Sequence, residues 1–217
     1  MFSKMPLCKV VIFFMKDISI SSTGSNLTSW EMFINEYTQR LNKALDHSSI
    51  SKIPLLCEEL LSAWHNNRQV FICGNGGSAG NAIHIANDLL YGAGVKAGAG
   101  LRVEALSANM AVITCLANDL GYEDIYSEQL RVKARKKDML IVLSGSGNSP
   151  NVVKALETGN ALGMQTFAIL GFSGGRCKEL AQVPLHFPVD DMQIAEDMQL
   201  IIGHMCMQWL CNALCWE

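Results

Sequence analysis

Charge is what this sequence has least of. Only 17% of its 217 residues are Asp, Glu, Lys or Arg, against 49% hydrophobic residues, and the formal net charge is −3. That balance excludes a nucleic-acid binder working through a general basic field. The apolar content excludes extended disorder over most of the length, because so much apolar surface must be buried. It also points to surface buried against other subunits. No Cys-x-x-Cys pair occurs among Cys8, Cys57, Cys73, Cys115, Cys177, Cys206, Cys211 and Cys215. Scattered thiols in a chain this long read as reduced, mostly buried and cytoplasmic, not as a disulfide framework. A membrane-spanning run is missing too. Leu7 to Met15 is too short, holds Lys9 and has no small-residue cleavage site after it, so it reads as a leader and not a signal peptide. Met198 to Trp216 is nearly all apolar, but His204, Gln208 and Asn212 recur every four residues. That polar stripe fits a helix buried among helices better than one in lipid.

What is present alternates. Residues 19–29 are rich in Ser, Thr, Gly and Asn and read as a linker, so 1–28 is expected as leader and linker and 29–217 as one domain. Thr28 and Glu31 have the spacing of a capping box. Trp30, Phe33, Tyr37, Leu41 and Ala44 then share a helical face, and a second helix over 51–66 completes a helical hairpin. Strands are expected at 69–73, weakly at 101–106, at 139–143, at 166–170 and briefly at 184–188. Helices are expected to about 91, at 109–116, 125–135, 152–162 and 192–215. Continuous apolar strands between helices predict an α/β fold with a parallel sheet covered on both faces.

Two glycine-rich loops follow strands. In Leu143-Ser144-Gly145-Ser146-Gly147-Asn148-Ser149-Pro150-Asn151, Ser149 suits an N-cap and Pro150 the first helical position. Glycines let backbone N–H groups converge, serines add hydroxyls and the helix start adds its positive dipole end. The parts make an anion cradle, and the lack of a following Lys excludes a nucleotide P-loop and favours a phosphomonoester. The second loop, Gly74-Asn75-Gly76-Gly77-Ser78, also follows a strand, and ligands of open parallel sheets bind at strand carboxyl ends. Both loops are therefore expected on one crevice. Asn118 and Asp119 before Gly121 read, from the residues alone, as a helix-ending turn.

His84 and Asp88 are four apart on one helix and share a face. Glu196 and His204 are eight apart on another and diverge by about 80°, near enough to flank one cavity. Two imidazoles and two carboxylates would suit Zn²⁺ or a similar ion. The competing reading is that each His is a satisfied core histidine. His47 and His65 read as helix-end residues and His186 as structural.

In order along the chain, GNGGS at 74–78 with His84 beyond it, ANDLGYEDIYS at 117–127, LSGSGNSPNVVKAL at 143–156, the LGM turn at 162–164 and a final helix with His204 resemble the sugar isomerase (SIS) family. Within it they are similar to the phosphoheptose isomerases. The likeness runs from about residue 29 to 214. It implies a three-layer α-β-α sandwich with a five-stranded parallel sheet, a homotetramer, and a place in heptose and lipopolysaccharide biosynthesis; the apolar final helix is expected near the tetramer's centre. It implies sugar-phosphate binding by Asn75, Gly76, Gly77, Ser78, Asn118, Asp119, Ser144, Gly145, Ser146, Ser149 and Glu196. It implies a divalent metal, Zn²⁺ first, on His84, Asp88, Glu196 and His204, with Asp88 as base and His204 as acid. Gly145 stands where the family has Thr, Asp88 where it has Glu, and Glu196 where it has Gln. The implied reaction is aldose–ketose isomerisation through an enediol. The alternative is a non-catalytic SIS protein that binds a sugar phosphate or the bacterial replication initiator as a tetramer. No nucleic acid or membrane partner is expected.

Overall fold

The computed structural model describes residues 28–92 and 100–213. The leader and linker expected before Thr28 lie outside that range, as do Cys8 and Cys215. The chain divides into two compact units that part between Glu36 and Tyr37, inside the first helix, α1 (Ser29–Leu45).

In the first unit, α1 opens with the expected capping box. The Thr28 N–H donates to the Glu31 carboxylate at 2.7 Å, and the Glu31 N–H donates to the Thr28 hydroxyl at 3.3 Å. The bond from the Thr28 backbone, then the one from its hydroxyl, holds the Glu31 carboxyl below its usual range. Trp30 and Phe33 meet edge to face but are 73% and 53% exposed, so the front half of the expected apolar face is not buried.

The second unit contains the sheet. Its helices are the end of α1, then α2 (Ile53–His65), α3 (Gly77–Asn87), α4 (Met110–Asp119), α5 (Ser127–Lys133), α6 (Pro150–Ala161), α7 (Gly175–Leu180) and α8 (Met192–Ala213). Its strands are β1 (Val70–Gly74), β2 (Val103–Ala105), β3 (Met139–Ser144), β4 (Gln165–Leu170) and β5 (Val183–His186). All pairings are parallel, in the order β2-β1-β3-β4-β5. Two expected helices are shorter. One turn of π-helix (Asp88–Gly92) replaces the end of the helix after β1, and a 3₁₀ turn (Tyr122–Asp124) precedes α5.

Alternate residues of the strands face opposite layers. Val70, Ile72, Met139, Ile141, Leu143, Phe167 and Ile169 pack with α2, α3 and α8. Phe71, Cys73, Leu140, Val142, Ala168 and Leu170 pack on the other side with α5, α6 and α7. Every residue of β1 and β3 is buried, which is why both read as unbroken apolar runs. The result is the expected three-layer α-β-α sandwich. No helix among the described residues is long and apolar enough to cross a membrane. Their six cysteines are free thiols, and Cys115 is exposed.

The strand order reverses direction between β1 and β3, the point at which helices from the two neighbouring strands leave for opposite faces and a crevice opens. Both glycine-rich loops start there. The register pairs Gly74 with Leu143, so the loops leave the sheet side by side.

Candidate active site

The loop after β1 spends most of its polar groups inside the protein. The Asn75 amide donates to the Asn151 side-chain oxygen at 2.8 Å and accepts the Asn151 amide at 2.7 Å. It also accepts the Tyr122 hydroxyl at 3.0 Å. Asn151 is fully buried, and its oxygen also accepts the Val152 N–H at 2.9 Å. This reciprocal amide pair joins the two loops across the crevice. Gly76 has φ +56°, ψ −123°, a conformation open only to glycine, and it turns the chain into α3. Ser78 is buried and its hydroxyl accepts from Gln199 on α8 at 3.0 Å, so its side chain faces α8. Tyr126 donates to the Gly74 carbonyl.

In the loop after β3 only the serine hydroxyls are bonded sparingly; its Gly145 and Gly147 carbonyls accept the Gly171 and Cys177 N–H groups and Asn148 accepts the Arg176 N–H. The Ser144 hydroxyl accepts the Gly147 N–H at 3.0 Å and the Ser146 hydroxyl accepts the Asn148 N–H at 3.3 Å. Each keeps its own proton to donate. Ser149 occupies the N-cap position as expected, but its side chain makes no cap bond. Gly147 has φ +66°, and a Cβ there would lie 2.0 Å from the Gly174 carbonyl oxygen. A Cβ on Gly145 would meet the Met192 sulfur at 2.6 Å. Met192, at the start of α8, is exposed and its flexible end can move aside, so the glycine where the SIS pattern has Thr has no structural explanation.

Asn118 and Asp119 end α4 as an exposed pair, with the Asn118 amide donating to the Asp119 carboxylate at 2.8 Å. Their segment is tied to the site through Tyr122 and Tyr126, not through a bond of either side chain to the two loops. Tyr122 and Asn151 lie inside motifs read from the sequence but carry no role there, and nothing in the sequence marks Gln199 or Met192.

His84, Asp88 and His204 come together. The two imidazole Nε2 atoms lie 2.9 Å apart, and one Asp88 carboxylate oxygen lies 3.4 Å from the first and 3.5 Å from the second. The histidines are therefore not core residues satisfied by backbone; each is roughly half exposed. Their meeting has a local cause. Gly203 on α8 packs so close to α3 that a Cβ would sit 2.6 Å from the Ile85 side chain, and His204 follows it directly.

Glu196 is not in that group. A Cβ on Gly77 would lie 2.4 Å from its carboxylate, so the carboxylate rests against the first turn of α3, where the helix dipole favours a negative charge. Three ligand atoms, two imidazole nitrogens and one carboxylate oxygen, lie within 4.8 Å of one another. Three protein ligands with a position left open are what a catalytic Zn²⁺ takes. Tetrahedral bonds of about 2.05 Å would set the nitrogens about 3.3 Å apart, so the imidazoles need part only slightly. The donor set fits the ion without Glu196.

His47 and His186 serve the fold. His47 caps the turn before α2 by accepting the Ser49 N–H at 3.2 Å. His186 shares a hydrogen bond of 2.8 Å with the Phe172 carbonyl, and burial lowers its pKa.

Comparison with known proteins agrees with this geometry. Residues 32–171 match the family model described as an SIS domain. The chain is 37% identical over 155 residues to a phosphoheptose isomerase from Helicobacter pylori strain P12, covering 71% of the chain and 78% of the relative. It is 34% identical over 175 residues to one from Chlorobaculum parvum, covering 79% and 83%. The solved phosphoheptose isomerase from Neisseria gonorrhoeae superposes with a TM-score of 0.76 at 25% identity, covering 84% of this chain and 98% of that one. Crevice, loops and relatives all point the same way, and the chain belongs to the SIS-domain family, among the phosphoheptose isomerases.

Proposed function

We propose that the chain is an aldose–ketose isomerase of sedoheptulose 7-phosphate, forming the corresponding heptose 7-phosphate. The observation that carries this reading is the convergence of His84, Asp88 and His204 beside a serine loop at the sheet's switch point. The phosphate is held by the hydroxyls of Ser144, Ser146 and Ser149 and the start of α6, remote from the reacting carbons. Asn75 shapes the crevice through its pair with Asn151, Gly76, with open space beside it, lets the sugar approach the backbone, and Gly77 adds its backbone N–H at the start of α3. Asn118 and Asp119 bind the sugar from the end of α4.

Asp88 takes the proton from the carbon next to the carbonyl and returns it to the neighbouring carbon. His204 donates a proton to the carbonyl oxygen, and the reverse transfer completes the exchange. A divalent ion, Zn²⁺ first, would be held by His84, Asp88 and His204; with His204 Nε2 committed to it, the ion would supply the polarisation of the substrate's oxygens in place of the His204 proton. Binding without turnover would instead identify a non-catalytic SIS protein. Isomerisation of sedoheptulose 7-phosphate, assayed with and without a chelator and paired with elemental analysis, tests both points. Absence of turnover in the metal-loaded protein overturns the enzymatic reading.

The assembly we propose is a cytoplasmic homotetramer with α8 near its centre. Leu90, Tyr91, Met205 and Trp209 are exposed, and the apolar helix α4 contains no buried residue. Light scattering at the mass of one chain would overturn it. We further propose that residues 29–217 fold as one domain; a truncation beginning at Ser29 should keep the melting temperature of the full chain.

A further inference from the structure

A second cavity, of about 440 Å³, opens at the amino ends of β1, β2 and β3, the end of the sheet away from both glycine-rich loops. In a chain of net charge −3 its wall is basic, with Arg68 before β1, Arg102 before β2, Lys133 at the end of α5, and Arg135 and Lys136 before β3. Two of the five are already engaged. Arg68 pairs with Glu59 at 2.6 Å and donates to the Ser62 hydroxyl and the Lys137 carbonyl. Lys133 pairs with Glu104 at 2.5 Å. The other three are exposed and meet no carboxylate among the described residues. Arg102 donates to the Asn67 carbonyl at 2.8 Å, and the side chains of Arg135 and Lys136 have no hydrogen bond or ion pair. The remaining acid of the wall, Asp138, is buried, and its two oxygens accept the Gln69 and Arg135 backbone N–H groups at 3.0 and 2.7 Å. It fixes the turn that presents Arg135 and Lys136. That turn runs on into Lys137 at φ +72°, a conformation that favours glycine. Three basic residues in a row repel one another, and an anion in the cavity would relieve the first two.

We propose that this cavity binds a diphosphate, free or as part of a nucleoside diphosphate, between Arg102, Arg135 and Lys136. The planar forks of two arginines suit phosphoryl oxygens, and the lysine adds a point charge. One phosphomonoester carries roughly 1.5–2 negative charges at neutral pH and would leave a cation unmatched, whereas two phosphoryl groups answer all three. Phe71 also lines the cavity but is 1% exposed, so it offers no ring face on which a base could stack. The diphosphate itself is what the wall recognises.

The site is separate from the proposed chemistry and from the proposed assembly. The serine loop and the His84, Asp88 and His204 group belong to the other end of the sheet. Neither α4 nor Leu90, Tyr91, Met205 and Trp209, the surface given to the tetramer, lines the cavity. The inference therefore does not depend on the isomerase reading.

The test titrates the full chain with pyrophosphate by calorimetry, with inorganic phosphate and ADP alongside. Pyrophosphate and ADP should bind alike, roughly tenfold or more tightly than phosphate, and both should weaken as salt is raised. Arg135→Gln/Lys136→Gln removes two side chains that have no partner to lose. It should keep the melting temperature and the turnover of sedoheptulose 7-phosphate while weakening pyrophosphate about tenfold or more. Ser149→Ala should leave pyrophosphate binding unchanged. If the double variant fails to fold, Arg102→Gln decides in its place. The proposal is overturned if pyrophosphate does not bind at about 1 mM, or if phosphate binds as tightly. It is equally overturned if binding survives in Arg135→Gln/Lys136→Gln, or is lost in Ser149→Ala, which would place the anion in the serine loop.

Discussion

The loops that follow β1 and β3 are built from similar residues, yet they differ in what they leave unbonded. In the first, the Asn75 oxygen is taken by Asn151 and Tyr122, the Ser78 hydroxyl meets Gln199, and Gly77 abuts Glu196. In the second, Ser144 and Ser146 only accept from their own loop, and Ser149 has no side-chain partner at the helix start. Polar groups satisfied inside the protein fix a shape. Polar groups left over at a crevice are the ones able to meet a ligand. The first loop is therefore chiefly a frame, the second chiefly a cradle, and the Asn75–Asn151 pair fastens one to the other.

The largest effect should come from neither loop. Each lacks an ionisable side chain, so neither can replace a lost base. Asp88→Asn keeps the shape and removes the basic oxygen. We expect kcat for sedoheptulose 7-phosphate to fall by roughly 10²–10⁴, with KM changed little. A loss below tenfold would move the carbon proton to another group and leave Asp88 as a mere partner of the two histidines.

A pair of substitutions separates frame from cradle. Asn151→Ala leaves the Asn75 amide half-satisfied beside a buried space. It should cost about 1–3 kcal/mol of stability, which in a chain this size lowers the melting temperature by roughly 2–4 °C per kcal/mol. Ser149→Ala should do the reverse. Its hydroxyl makes no cap bond to lose, so the melting temperature should hold. The lost bond to a charged phosphate, about 1.5 kcal/mol or more, should raise KM on the order of tenfold. If Ser149→Ala melts early and Asn151→Ala raises only KM, the assignment of the two loops is the wrong way round.

The same contrast explains what the sequence disclosed. Strands β1 and β3 were legible because burial on both faces makes every position apolar, and their loops because glycine and serine stand out after such runs. The meeting of His84, Asp88 and His204 was half legible. The four-residue spacing put two of them on one face, but nothing local says which side of α8 faces α3. Gly203, a glycine in the middle of a long helix directly before His204, was the available signal. The position of Glu196 was not legible for the same reason. A spacing of eight residues allows it to flank the histidines, and the absence of a side chain at Gly77 lets it settle at the start of α3 instead. Asn151, Tyr122 and Gln199 were not legible as site residues. Their partners lie 76, 47 and 121 residues away in the chain, and an amide or phenol looks the same in sequence whether it is paired or free.

Glu196→Gln, which restores the residue typical of the SIS pattern, tests that displacement. It removes a favourable charge at the start of α3, a loss of about 0.3–1 kcal/mol. Zn²⁺ affinity, read by competition with a chromophoric chelator, should be unchanged, because the carboxylate is outside the three-residue group. A marked fall in affinity would mean that Glu196 swings in to complete a four-ligand site, and that the frame of the first loop is looser than its bonds imply.

The smallest effect is expected away from both loops, where α1 meets α8. The Tyr37 hydroxyl donates to the Asp197 carboxylate, and Arg40 lies over the Tyr37 ring while also reaching Asp191 at 3.2 Å. The bond to Asp197, reinforced by partial burial, raises the Tyr37 pKa from 10.0 to about 12. The phenol thus stays protonated in the folded chain at pH values where the unfolded chain has already ionised. The stability this adds is complete below pH 10 and is lost as pH rises from 10 to 12. Tyr37 is only half-buried, so solvent screening keeps the contribution small. Tyr126 titrates abnormally as well, raised first by burial, but it is common to both proteins in a comparison of wild type with Tyr37→Phe. Denaturant midpoints measured from neutral to alkaline pH should therefore fall more steeply for the wild type than for Tyr37→Phe, the two curves converging above pH 12. Isomerase activity at neutral pH should be the same in both, since neither loop touches this contact. A loss of activity in Tyr37→Phe would show that the position of α8, and not the bonding of the two loops alone, sets the geometry around His204.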